Sequence, residues 1–160
     1  MNRKIDSRQV SLAVLIASLY AVLTVILGPF GYSWIQVRVS EALTPLPYLL
    51  GLPAVAGLTL GVVVANIFSP VGLPDMIFGP LLTLAAAVLS WKLNFDSGLV
   101  ACIYPVVVNA LGVSAYIAGF YGVRYELSVI SIGVGEVISV VLLGYPLLRV
   151  LERTGWTTEQ

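Results

Sequence analysis

Residues 127–149 read LSVISIGVGEVISVVLLGYPLLR. Between Glu126 and Arg149 the run carries a single charge, Glu136, near its middle. A bilayer core is roughly 30 Å thick, and a helix needs about 20 apolar residues to cross it. The run therefore predicts a membrane-spanning helix. An ionisable group inside such a helix is costly to bury and marks a functional site or an essential pair. The rest of the chain has the same character. Of 160 residues, 59% are hydrophobic, 10% are charged, and mean hydropathy is +1.00. A soluble domain would carry about 25% charged residues.

The charges gather at the ends and between apolar blocks. Arg3, Lys4, Asp6 and Arg8 precede the first block, and Arg149, Glu152, Arg153 and Glu159 follow the last. The pattern predicts an all-α membrane protein, one transmembrane domain over 1–160. Its six spans fall at about 10–28, 40–51, 53–69, 75–91, 98–119 and 127–149. The first block is longer than a signal-peptide core and lacks a small-x-small cleavage site, so it reads as a retained span. The second is short and interrupted by Pro45 and Pro47. The 29–39 connection carries Tyr32 and Trp34, residues typical of a membrane interface.

Six spans put both termini on one side. That side holds Arg3, Lys4, Arg8, Lys92, Arg149 and Arg153, against Arg38 and Arg124 on the other. The bias predicts cytoplasmic termini in a multi-pass cell-membrane protein. With zero net charge and no basic tract, nucleic acid is not an expected partner. There is one cysteine, Cys102, and no histidine, so no metal or cofactor is expected. The two halves share no motif, which argues against an inverted-repeat carrier.

Neighbours on a helix face lie three, four or seven residues apart. On that spacing Glu41, Thr44 and Tyr48 share a face, as do Thr59 and Asn66. Further stripes are Asp75, Gly79 and Thr83; Pro105, Asn109, Gly112 and Tyr116; and Gly133, Glu136 and Ser139. Glu136 falls roughly 13 Å below the outer start of its helix, and Asn109 falls near the midplane. Asn66, Asp75 and Glu41 fall close to the outer surface. The reading is a cup open outward, with an apolar floor. Glu41 and Asp75 also suit helix N-termini, where a carboxylate favours the dipole, and Glu41 could pair with Arg38. Asn66 and Asn109 could equally bond between helices.

The first span carries no polar stripe. Its Ala13, Ala17 and Ala21 recur every four residues, a small-residue face that lets another helix approach. Gly57, Gly61 and Ala65 repeat the pattern in the third span. Spacing alone leaves open whether the alanine face docks another protein or packs within the chain.

Gln36-Val-Arg-Val-Ser-Glu-Ala-Leu-Thr-Pro-Leu-Pro-Tyr48, Gly57-Leu-Thr-Leu-Gly61, Ala65-Asn66, Asp75-Met-Ile-Phe-Gly79 and Leu82-Thr-Leu-Ala85 resemble the queuosine-precursor transporter family, the QueT type. The family resembles the substrate-binding S components of energy-coupling-factor transporters of prokaryotic plasma membranes. The resemblance implies a six-helix bundle with an extracellular-side pocket. It also implies an alanine face on the first helix for docking an energising module of a transmembrane T protein and two ATPase subunits. The chain has no Gly-x-x-x-x-Gly-Lys-[Ser/Thr] loop, so ATP hydrolysis would come from that module and no enzyme activity is expected. The implied ligand is 7-aminomethyl-7-deazaguanine, a flat base with a donor edge and a cationic arm. Candidate binding residues are Glu136, Glu41, Asn109, Asn66, Asp75, Gln36, Trp34 and Tyr116. An S component for another nutrient, a proton-coupled carrier using Glu136, and a non-transporting subunit are the other readings.

Overall fold

The computed structural model describes residues 6–28 and 36–156. Among them every regular element is helical. Helix α1 spans Ser7–Ile26 and is capped by Asp6, whose carboxylate accepts from the Arg8 amide at 3.3 Å. A 3-10 turn, Val39–Leu43, leads to the short α2, Pro47–Leu50. Helices α3 (Leu52–Asn66), α4 (Leu73–Lys92) and α5 (Gly98–Tyr121) follow. The last run comprises α6 (Tyr125–Glu136), a π-helical stretch Val137–Gly144, and α7 (Tyr145–Arg153).

Among the described residues, four helical runs are long and apolar enough to cross a bilayer: Ser7–Ile26, Leu73–Lys92, Gly98–Tyr121 and Tyr125–Arg153; α3 is shorter. Val14, Leu60, Leu81, Val107 and Leu142 are exposed around the bundle. So continuous an apolar surface suits lipid rather than water.

The expected second span, 40–51, is not one helix of membrane length. Pro45 and Pro47 cannot donate to a helical ladder, and the segment breaks into the 3-10 turn, a bend and α2. Irregular backbone at membrane depth is tolerated only where protein covers it. Every residue from Ser40 to Pro47 is buried. Two glycines make room for this segment on the last helical run. A Cβ on Gly144 would sit 2.7 Å from the Ala42 carbonyl oxygen, and one on Gly135 would strike the Gln36 carbonyl.

Helices α1 and α3 run parallel in close contact. A Cβ on Gly57 would lie 2.6 Å from the Ala13 carbonyl, and one on Gly61 would lie 2.9 Å from that of Ala17. The glycine stripe of α3 thus packs on the backbone of the alanine stripe of α1. The main apolar core gathers beside this contact: Ile16, Leu46, Leu50, Leu58, Ala87 and Leu148. Helices α4 and α5 are locked by a different device. Pro105 has no amide hydrogen, which frees the Ala101 carbonyl one turn earlier. The Ser90 hydroxyl of α4 donates to that carbonyl at 2.8 Å.

Candidate functional site

Bordering that core, side chains from five elements, most of them polar, converge. Tyr20 comes from α1, Arg38 and Glu41 from the 3-10 region, and Val62 and Asn66 from α3. Asp75, Gly79 and Thr83 come from α4, and Asn109, Val113 and Tyr116 from α5. They line a cavity of about 240 Å³, its open mouth included.

The polar groups are buried: Glu41 is 2% exposed, Asp75 1%, Asn66 3% and Asn109 5%. A buried polar atom without a partner costs free energy, so the useful question is which atoms are satisfied. Asp75 is satisfied at both oxygens. The Tyr116 hydroxyl donates to Oδ1 and the Ser69 hydroxyl donates to Oδ2, each at 2.5 Å. The Asn66 amide nitrogen donates to the Asp75 backbone carbonyl at 2.7 Å. Gly79 permits this contact, because a Cβ there would collide with Asn66 Nδ2. Phe78 stacks on Tyr116 with ring centroids 5.7 Å apart and holds the phenol in place.

Glu41 is satisfied only in part. The Tyr20 hydroxyl donates to Oε1, while Oε2 has no hydrogen-bond partner among the described residues. The turn around it is held locally. The Thr44 hydroxyl donates to the Glu41 carbonyl at 2.7 Å, and Thr24 Oγ1 lies 2.7 Å from Ser40 Oγ.

Glu136 stands one residue behind the cavity. Its Oε1 accepts from Asn109 Nδ2 at 3.0 Å, and its Oε2 has no hydrogen-bond partner among the described residues. It is 5% exposed and does not line the cavity, whereas Asn109 does.

Of the expected site residues, the structure brings Glu41, Asn66, Asp75, Asn109 and Tyr116 into one wall, with Glu136 backing Asn109. Gln36 is half-buried and does not line the cavity; its carbonyl packs over Gly135. Trp34 lies outside the described residues. Glu41 and Asp75 are both enclosed by protein. The 3-10 turn carries Glu41 inward, and Ser69 and Tyr116 close over Asp75. Tyr48, expected on the Glu41 face, packs instead beside Gly98 near Leu148.

Sequence reasoning missed Tyr20, having read α1 as contributing nothing to the cup. Tyr20 and Thr24 do stand four residues apart, and with Ile16 they continue a face one residue offset from the alanines. The Ala13, Ala17 and Ala21 side chains are half-buried.

A family profile described as the QueT transporter matches residues 10–153. No curated protein and no solved structure matches the chain.

Proposed function

The chain belongs to the QueT transporter family, and on that premise we propose that it is the membrane-embedded substrate-binding subunit of a prokaryotic uptake system for 7-aminomethyl-7-deazaguanine, driven by a separate ATPase module. The observation that carries this reading is the cavity. Buried polar side chains from α1, the 3-10 region, α3, α4 and α5 meet at one point in an otherwise apolar bundle. Apolar membrane helices do not gather two carboxylates, two amides and two phenols around one point for packing alone. A donor-rich base with a cationic arm suits such a wall, since a carboxylate attracts the arm and the acceptors meet the edge.

The topology proposed with it has six passes, counting the inserted 40–51 segment, and cytoplasmic termini. The cavity then opens to the outside. The proposed partners are a transmembrane T protein and two ATPase subunits, docked on the open edge of the Ala13, Ala17 and Ala21 face.

Calorimetry on the purified chain tests the core claim. The chain alone should bind the deazaguanine, and uptake in cells should appear only when the module is co-expressed. Uptake abolished by an uncoupler in cells lacking any such module would identify a self-contained carrier instead. Single cysteines at Gly72 and Gly122 should react from outside intact cells and one at Asn94 should not; the reverse pattern would invert the topology. Ala21→Leu should abolish uptake and module association while ligand binding persists. Loss of ligand binding as well would assign that face to packing within the chain.

A further inference from the structure

The hydrogen-bond pattern behind the cavity wall says what kind of ligand edge the wall can read. Asn109 stands between the cavity and Glu136, and its amide nitrogen is 3.0 Å from Glu136 Oε1. Asn109 turns an N–H toward Oε1, which accepts it whether or not Oε2 carries a proton. The planar amide then leaves Asn109 Oδ1 on its other limb. Asn66 repeats the arrangement on α3. Its Nδ2 donates to a backbone carbonyl, that of Asp75, at 2.7 Å, and a carbonyl has no hydrogen to offer in return. Asn66 Oδ1 is left over in the same way. Glu41 supplies a third acceptor, since Tyr20 occupies Oε1 and Oε2 has no partner among the described residues. The one hydroxyl hydrogen of Tyr20 is committed to Glu41.

We propose that Glu136 is a positioning residue that acts through Asn109, fixing its amide so that Oδ1 faces the cavity. With Asn66 Oδ1 and Glu41 Oε2 it completes a wall of acceptors that selects the hydrogen-bond-donating edge of an aminated heterocycle. This deepens the reading above and rests on it for the identity of the base. The Glu136 carboxyl stays behind the amide, and its contribution to binding is orientation rather than contact.

The test exchanges the two groups. Asn109→Asp sets a carboxylate against Glu136 and should weaken binding of 7-aminomethyl-7-deazaguanine at least ten-fold by calorimetry. Asn109→Asp combined with Glu136→Gln keeps the net charge. The new glutamine amide can donate to the new aspartate, whose other oxygen again faces the cavity. This double variant should recover to within about three-fold of the native affinity. A double variant as weak as Asn109→Asp would overturn the proposal, because it would mean that Asn109 gives the ligand an N–H. The analogue without the 2-amino group should bind the native protein at least ten-fold more weakly, and equal binding would overturn the donor-edge assignment.

A ligand-free measurement separates this inference from the identity of the substrate. The Asn109 side-chain amide hydrogens should exchange slowly with water by NMR, and at least ten-fold faster in Glu136→Leu. Unchanged exchange would overturn the positioning role even if the native protein binds the deazaguanine. Slow exchange lost in Glu136→Leu, in a protein that ignores the deazaguanine, would support the positioning role while removing the proposed substrate.

Discussion

Glu41 and Asp75 are as deeply buried as Ala87 and Leu50, yet the two groups sit in regions held together by different physics. Around Leu58 and Leu148 the bundle is dry, and its closest approach is glycine on backbone, Gly57 and Gly61 against Ala13 and Ala17. Around Glu41 and Asp75 the helices are joined by side-chain hydrogen bonds spanning 21 and 41 residues of sequence. The dry region is complete in itself, since apolar contacts need no further partner. The polar region is not: one oxygen of Glu41 and one of Glu136 remain without a hydrogen bond among the described residues. Such atoms reduce stability unless something else satisfies them. The contrast teaches that one region of the bundle is closed by packing, while the other leaves polar capacity unspent, at the cavity wall in Glu41 and behind it in Glu136.

The largest expected effect breaks the dry region. Gly57→Leu drives a side chain into the Ala13 carbonyl, where neither backbone can yield. Overpacking of this kind costs about 1–3 kcal/mol and occasionally more; here the upper end or beyond is expected, as a fall in unfolding temperature and yield in detergent. Normal stability would mean that α1 and α3 are not clamped at this point. Next comes Glu41→Gln in the polar region. Losing a charge-assisted bond to ligand should weaken affinity by about 1.5–3 kcal/mol. Ligand-free thermal stability should hold or rise, because a buried charge has gone. A variant that loses stability but keeps affinity would reverse the roles assigned to the two regions.

Asp75→Asn sharpens the division within the polar region. Both Asp75 oxygens already accept from protein hydroxyls. The asparagine NH2 would face one hydroxyl and return one acceptor fewer. Stability should fall by about 1 kcal/mol, the net worth of a typical hydrogen bond, while ligand affinity changes less than in Glu41→Gln. A larger affinity loss at Asp75 than at Glu41 would make Asp75 the ligand's carboxylate.

Much of this division was legible in the sequence. Helical spacing grouped Asp75, Gly79 and Thr83 correctly, because a continuous helix preserves the four-residue repeat. Asn109 and Tyr116 were found for the same reason. The enclosure of Glu41 was not legible, because it depends on how a proline-broken segment packs, and a 3-10 turn has no repeat long enough to read. Tyr20 was hidden by its apolar ring on a helix whose alanines dominate the pattern. The relation of Glu136 to Asn109 was hidden for another reason. Depth along one helix says how far down a residue lies, not which neighbour stands between it and the cavity. The small-residue stripes were visible, but their mutual packing needed the parallel register of α1 and α3.

The smallest effect tests whether the seam between α4 and α5 belongs to the dry region. Ser90→Ala removes the hydroxyl that meets the carbonyl freed by Pro105. Hydrogen bonds between membrane helices average about 0.6 kcal/mol and reach about 1.7, and the cost should fall in that range. Pro105→Ala restores the amide hydrogen, so the Ala101 carbonyl regains its partner within its own helix. In that background Ser90→Ala should cost close to nothing, and the double-mutant cycle should return most of the single-variant loss as coupling. Ligand affinity should not move in any of the three variants, since Ser90 and Pro105 are absent from the cavity wall. Equal cost of Ser90→Ala in both backgrounds would show that Ser90 acts through packing alone. An affinity change in step with stability would show that the seam transmits to the polar region, and that the two regions are not independent.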